Sequence, residues 1–385
     1  MCNTAAQALL DGDGLSPQTG PFFGWVNLTS DIHGVAANTD ANLVNPWGLA
    51  HRPLGGFWIA DNGTDVSTVY NAAGKPQPQS APLVVTIPPS GSGPTGIVFN
   101  YKAFSVSPTH VITPTTDDFA ITANSATSSS VFIFVTENGT IAGWSPQVDA
   151  TNAVTAVDNS ASAAVYKGVA LSFDSTGRHL LYAANFHAGT VAVFDNTFTP
   201  TTVPGGFVDA TIPAGFAPFN IKATRVLNPA THQLDRLVFV TYAKQDADAS
   251  DDVPGPGNGY VNVFDPDGNL KMRLVSGGDL NSPWGLARTG VFGKFKHALL
   301  VGNFGDGKIH GYDLATGAEL GALQDREGND LQFDGLWALH FGRHPEPLEK
   351  LLRDEDDLHE DTNLYFTAGI GGEEHGLFGR IRIHR

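Results

Sequence analysis

The chain has one cysteine in 385 residues, Cys2, so no disulfide can form within it. Charge is sparse as well. Asp, Glu, Lys and Arg make up 16% of the residues, where a soluble domain commonly carries about 25%. The shortage falls on one sign: 22 Lys plus Arg stand against 39 Asp plus Glu, for a net charge of −17. Such a surface repels phosphate backbones and anionic lipid, so neither nucleic acid nor a membrane surface is an expected partner. No apolar run approaches the roughly 18 residues of a transmembrane helix. HExxH, GxSxG and Walker patterns are absent, which leaves serine-nucleophile chemistry and phosphate-loop binding without support. The opening MCNTAAQALL has neither the basic start nor the long apolar stretch of a signal peptide. Three readings of it stay open. Met1 is a start placed where a signal was removed, Cys2 is the lipid-carrying first residue of a mature lipoprotein, or Cys2 is an ordinary residue in a tail.

What the chain does have is glycine, proline and repetition. Gly 44 and Pro 24 accompany a 41% hydrophobic content, enough for a sizeable core divided by many turns. Residues 45–50 read NPWGLA and residues 282–287 read SPWGLA. Each is followed by an apolar strand, a small polar turn and a second strand: FWIADNG and STVYNAAG in the first copy, ALLVGNFGDG and KIHGYDLATG in the later one. The same unit recurs in looser wording around Gly96, Gly168, Asn220 and Gly335. With Gly48 and Gly285 that makes six units, spaced by 48, 72, 52, 65 and 50 residues. Their strands are rich in Val, Ile, Tyr, Phe and Thr and bounded by Gly, Asn, Asp and Pro. Gln79–Ile87 and Leu270–Ser276 read as fourth strands.

A lone four-stranded sheet cannot cover both of its faces, whereas radial repetition lets neighbouring sheets cover one another. The expected fold is therefore all-β, a six-bladed β-propeller spanning residues 21–385 as one domain. The last unit ends on its third strand, so Gly24–Thr29 is expected to supply the fourth and close the ring. Residues 1–20 are expected to be a flexible tail. Residues 145–165 read as a linker between the second and third units. Acidic insertions at 244–259 and 344–361 read as solvated loops. In the first, Asp246, Asp248, Asp251 and Asp252 also resemble a calcium loop in density though not in EF-hand spacing. In the second, Leu348, Leu351 and Leu352 at helical spacing offer one or two helical turns as the alternative.

NLVNPWGLA, FWIADNGTDVSTVYN, TYAKQDADASDDVPGPGNG, LVSGGDLNSPWGLA, LLVGNFGDGKI and LYFTAGIGGEEHGLFG together resemble a group of uncharacterised bacterial exported proteins, some of which carry PEP-CTERM sorting tails. The resemblance runs from about Val26 to Ile383. The units are more distantly similar to NHL-type repeats and to the gluconolactonase and paraoxonase propellers. It implies export to the periplasm, the outside of the cell or a lipid-anchored position on its surface. No sorting tail follows Arg385, so anchoring by that route is not expected.

In propellers of the NHL and lactonase kind, ligands meet one end of the central channel, at the start of each innermost strand and the turn after each second strand. Carried onto this chain, the first group comprises Trp47, Thr95, Lys167, Phe219, Trp284 and Asp334 or Trp337. The second comprises Asp61, Asn62, Glu137, Asn138, Asn185, His187, Lys244, Asp246, Asn303, Asp306, Glu373, Glu374 and His375. Asp61, Glu137, Asn185, Asn303, Asp306 and Glu374 are the expected oxygen ligands of a hard cation, calcium first. His187 and His375 are the candidate general bases; with carboxylates they would equally suit zinc, copper or iron. Trp47, Lys167, Lys244 and Trp284 are the candidate ligand contacts, with the two lysines as alternative counter-charges. Plain alternatives stand beside these readings: turn chemistry for the Asn and Asp residues, and packing between blades for the tryptophans. Two functions compete. One is non-catalytic binding of a small molecule or a cell-envelope polymer or protein; the other is calcium-dependent hydrolysis of a lactone or ester. A transition-metal redox or lyase enzyme ranks behind both.

Overall fold

Every repeat unit forms the antiparallel sheet that its strand pattern predicts. The computed structural model describes residues 21–52, 55–106, 112–227, 234–342 and 363–384. Six sheets follow one another around an axis. Blade 1 holds Pro46–His51, Phe57–Asp61, Val66–Tyr70 and Val84–Thr86. Blade 2 holds Pro94–Phe99, Phe132–Thr136, Thr140–Trp144 and Val154–Asp158. Blade 3 holds Tyr166–Phe173, His179–Asn185, Thr190–Phe194 and Pro200–Thr201. Blade 4 holds Phe216–Leu227, Leu234–Lys244, Gly259–Phe264 and Leu270–Ser276. Blade 5 holds Pro283–Arg288, Ala298–Asn303, Ile309–Asp313 and Glu319–Ala322. Blade 6 takes Leu336–Phe341, Asn363–Ala368 and Leu377–His384 from the end of the chain. Among the described residues there is no α-helix, hence none long and apolar enough to cross a membrane.

The expected closure is present. Strand Phe22–Ser30 pairs antiparallel with Leu377–His384, from Phe22 opposite His384 to Ser30 opposite Leu377. It also reaches blade 5, where Phe23 packs on Phe292 and Phe295 and its N–H donates to Gln324 O at 2.9 Å.

Burial follows the two-sided packing. Each strand alternates its side chains between two faces, and each face meets the adjacent blade. Trp58, Phe132 and Trp144 fill the space between blades 1 and 2, and Phe57, Tyr365 and Phe378 that between blades 6 and 1. The shared glycine of the repeat has a steric reason. A Cβ on Gly48 would lie 2.4 Å from Thr95 O, and one on Gly168 would lie 2.2 Å from Asn220 Oδ1. Inner strands of successive blades approach too closely there for any side chain. Blade 4 uses Asn220 instead, whose Nδ2 donates to Trp284 O at 2.7 Å.

The structure corrects the repeat register in blade 6. Pro46 pairs with Asp61 and Leu49 with Ile59; Leu336 pairs with Ala368 and Leu339 with Phe366 in the same way. Trp337 therefore matches Trp47, and Ala338, not Gly335, is the small residue. A second correction concerns the long second step. Val154–Asp158 is the fourth strand of blade 2, so 145–165 is not a linker. The extra length lies between the first two strands of that blade, where Ala120–Ala123 and Ala126–Ser129 form an added hairpin. The 1–20 tail and the 344–361 insertion lie outside the described residues.

Candidate functional site at the channel mouth

Trp47, Phe219, Trp284 and Trp337, near the starts of four inner strands, gather with Phe186 and Phe304 from the turns after two second strands into one aromatic plug. Trp47 and Trp337 stack with centroids 3.4 Å apart, Phe304 stacks on Trp337 at 4.1 Å, and Trp284 meets both tryptophans edge-on. Phe186 and Phe219 complete the plug. Trp47 and Trp284 are 2% and 4% exposed. They are core, and this corrects the expectation that they wall a ligand: the axis is too crowded for either ring to face solvent. Two of the three indole N–H groups serve the scaffold, while that of Trp47 is buried without a hydrogen-bond partner. That of Trp284 donates to Lys167 O at 3.0 Å, and that of Trp337 to Asn45 Oδ1 at 3.1 Å.

Lys167 is the one cation set into this plug among the described residues. Its side chain is 1% exposed, with the ammonium 4.9 Å from the Trp47 ring centroid. Glu137 Oε1 accepts from Nζ at 2.5 Å and Asp251 Oδ1 at 3.4 Å. The network then runs around the mouth. Asn62 Nδ2 donates to the other Glu137 oxygen at 2.8 Å, and Asn45 Nδ2 donates to Asn62 Oδ1 and to Glu373 Oε1 at 3.3 and 3.1 Å. Asn45 holds φ +44, a left-handed conformation that asparagine tolerates better than most residues. Blades 1, 2, 3 and 6 thus meet at one end of the channel, with the loop of blade 4 beside them.

That loop, 244–259, is not simply solvated. Asp246 Oδ1 accepts from the Ser250 and Asp251 N–H groups, folding the segment so that Asp251 points at Lys167 and Asp252 turns inward. Asp252 is 9% exposed; its carboxyl oxygens make no well-formed hydrogen bond, although the Ser282 hydroxyl lies close enough to oppose the rise of its pKa.

Four carboxyls therefore surround one ammonium. Burial works against the charge on Lys167, but Glu137 and Asp251 outweigh it and its pKa is raised. Burial pushes Asp252 up to about 6, and adjacent Asp251 adds to the rise. Burial pushes Glu373 up to about 7 against the hydrogen bond from Asn45, with Asp251 and Glu137 reinforcing the rise. Removing charge at Glu373 then has a defined pH signature. The folded state holds this proton more tightly than the unfolded chain, so its contribution to stability falls as pH rises from about 4.5 through about 7. Glu373→Gln keeps the acceptor for Asn45 and removes the titration. It should leave stability unchanged near pH 4 and raise it at pH 8 by on the order of 2 kcal/mol, partial solvent access included. Thermal melts at both pH values check this; equal effects at the two would contradict it.

The expected site residues divide. Lys167 and Glu137 are in the network. Glu374 is exposed and Glu373 is the inward residue: at φ +68, the turn directs Glu373 inward instead of its neighbour. Asp61 is buried, accepts from Thr68 Oγ1 at 2.8 Å, and has its pKa raised by burial; its interactions are with Thr68, Asp40 and Tyr70. Asn185 Oδ1 accepts from Val165 and Ala188 N–H groups, and Asn303 Nδ2 donates to Asp279 O, so both act as turn residues. Asp306 lines an open cleft between blades 5 and 6 with Gln332 and Asp334. Lys244 and His187 are exposed. His375 Nδ1 lies 2.7 Å from Asp31 Oδ2, which ties it to the closing strand. The six proposed ligands are not gathered on one point, because backbone groups already claim several of them. Asn45 carries its own signal in the sequence, its place before PWGLA, whereas Asp251 and Asp252 stand out only as part of an Asp cluster dense enough for a calcium loop but without its spacing.

No protein-family model matches the chain. Uncharacterized protein R648 of Acanthamoeba polyphaga mimivirus is 30% identical over 361 residues, covering 92% of this chain and 78% of that protein. Uncharacterized protein L690 of the same virus is 27% identical over 367 residues, covering 92% and 84%. These are viral proteins and lend no support to the bacterial origin implied by the resemblance. Among solved structures, a streptogramin B lyase is similar at 10% identity and TM-score 0.42, over 96% of this chain and 100% of that one. A glucose dehydrogenase is similar at 13% identity and TM-score 0.47, over 93% and 99%.

Proposed function

The chain belongs to the same family as the mimivirus uncharacterized protein R648, and we propose that its propeller is a binding protein for a small ligand bearing positive charge. The ligand, a protonated amine or a hard divalent ion such as calcium, sits at the channel mouth. One observation carries this reading. Glu137 and Asp251 contact a single ammonium, Lys167, while Asp252 and Glu373 lie within its electrostatic reach and hold their protons to about pH 6 and 7. Burial is the main reason these two carboxyls are held neutral, and the neighbouring carboxylates add to it. An added cation offsets the cost of ionising these buried groups, and Asp252, with the Ser282 hydroxyl as its side-chain neighbour, is one of the acceptors for it.

A second reading is calcium-dependent lactone or ester hydrolysis, and one observation favours it: a carboxyl near pKa 7, Glu373, is matched to general-base work at neutral pH. Melting curves with calcium and, separately, a diamine test the first reading. A ligand that binds the folded state raises the melting temperature by mass action. The rise should grow from pH 5.5 to pH 8 as Asp252 and Glu373 ionise, and shrink in Asp252→Asn. Indifference to both ligands at millimolar concentration would overturn the binding reading. Turnover of a lactone by wild type and not by Glu373→Gln would favour the second.

A further inference from the structure

A second group of chemically active residues lies outside the channel, between blades 4 and 5. Asp279 comes from the loop joining the two blades, His310 from strand Ile309–Asp313 and Glu319 from strand Glu319–Ala322. Each offers one ligand atom, and these atoms all lie within 4.8 Å of one another. His310 Nδ1 is 2.9 Å from Glu319 Oε1. Its other ring nitrogen is buried without a hydrogen-bond partner, in a residue 6% exposed.

An independent observation points into the same place. Tyr312 stands two residues from His310, hence on the same face of its strand, and pairs with Glu319 across the hairpin. It is 2% exposed, and its hydroxyl has no partner. A buried donor left unpaired on the strand pair that carries His310 and Glu319 is explained if an ion turns the Glu319 carboxylate and the hydroxyl then bonds it. Metal ligands commonly have such supporting donors.

We propose that Asp279, His310 and Glu319 bind a divalent transition-metal ion of the zinc class, which fastens the loop after blade 4 to the outer strands of blade 5. One imidazole with two carboxylates suits zinc, whereas calcium takes about 6–8 oxygens. Zinc bonds of about 2.1 Å place tetrahedral neighbours about 3.4 Å apart, so His310 and Glu319, 2.9 Å apart, must open slightly while Asp279, within 4.8 Å of both, closes on them. Asp279 can supply that movement. It is exposed and follows Gly277 and Gly278, both at positive φ. The nearby cation, Lys308, is held by Asp330 at 2.9 Å.

The test titrates zinc into metal-stripped full-length protein at pH 7.5, by calorimetry and by melting curve, with cobalt absorption as a spectroscopic readout. One equivalent should bind at micromolar concentration or tighter, raise the melting temperature and, as cobalt, give visible bands. Asp279→Asn and His310→Gln should each weaken binding at least about tenfold. Glu373→Gln, at the channel mouth, should leave it intact. If His310→Gln fails to fold, the exposed Asp279→Asn decides the matter. Zinc binding no tighter than about 1 mM, or undiminished in Asp279→Asn, overturns the proposal.

Discussion

A chain that begins at residue 31 is expected not to fold cooperatively, while one that begins at Pro21 should melt as a single unit. The difference is strand Phe22–Ser30, the fourth strand of blade 6. Its loss exposes the edge of Leu377–His384 and leaves the ring unclosed. It also removes Phe23 and Leu28, 2% and 3% exposed. Truncating such residues singly costs roughly 3–5 kcal/mol for Phe and 2–5 for Leu. Their sum, about 5–10 kcal/mol, is comparable with the roughly 5–15 kcal/mol that stabilises a whole domain. Ser30 Oγ donating to Gly376 O at 2.7 Å and Phe23 on the blade 5 aromatics add to that loss. Thermal melts of the two truncated chains decide the point, and matching transitions would show that closure is dispensable.

The ring was legible because each blade repeats the same steric demand. A glycine where inner strands nearly touch recurs in four blades, at Gly48, Gly96, Gly168 and Gly285, and the apolar strand and polar turn after it recur in all six, so six units could be read whatever the surrounding wording. Register within blade 6 was less legible, since Gly335 imitates the repeat glycine three residues before Ala338. The site was legible in part. Lys167 and Glu137 stand at repeat positions, and repeat positions converge on the axis. Asp251 and Asp252 do not: they lie in an insertion, and only the turn capped by Asp246 brings them to the mouth. The choice between Glu373 and Glu374 hinges on one residue at φ +68, which pattern reading cannot see. Asn185 and Asn303 looked like ligands because a turn and a metal site ask for the same side chains.

Lys167→Met should destabilise the protein by about 3 kcal/mol at pH 8 and by clearly less at pH 5. Methionine retains an unbranched apolar chain against Trp47 and Phe186, so packing is largely conserved and the change is one of charge. Removing one partner of a buried ion pair costs roughly 3–5 kcal/mol. The low end applies, because the side chains of Glu137 and Asp251 are 33% and 63% exposed and water takes up part of their charge. Acid lessens the loss. Glu373 and Asp252 take up protons below about pH 7 and 6, and with fewer charges to balance the missing ammonium matters less. Arginine is not a conservative replacement here, since its planar fork does not fit a cavity shaped for a compact ammonium. The same substitution strengthens the mouth as a cation site: the four carboxyls then lack any internal counter-charge, so calcium should raise the melting temperature of Lys167→Met more than that of the wild type. Equal melting temperatures for the two proteins at pH 8, with and without calcium, would mean that the ammonium does not balance these carboxyls, and the cation-binding reading would fall with it.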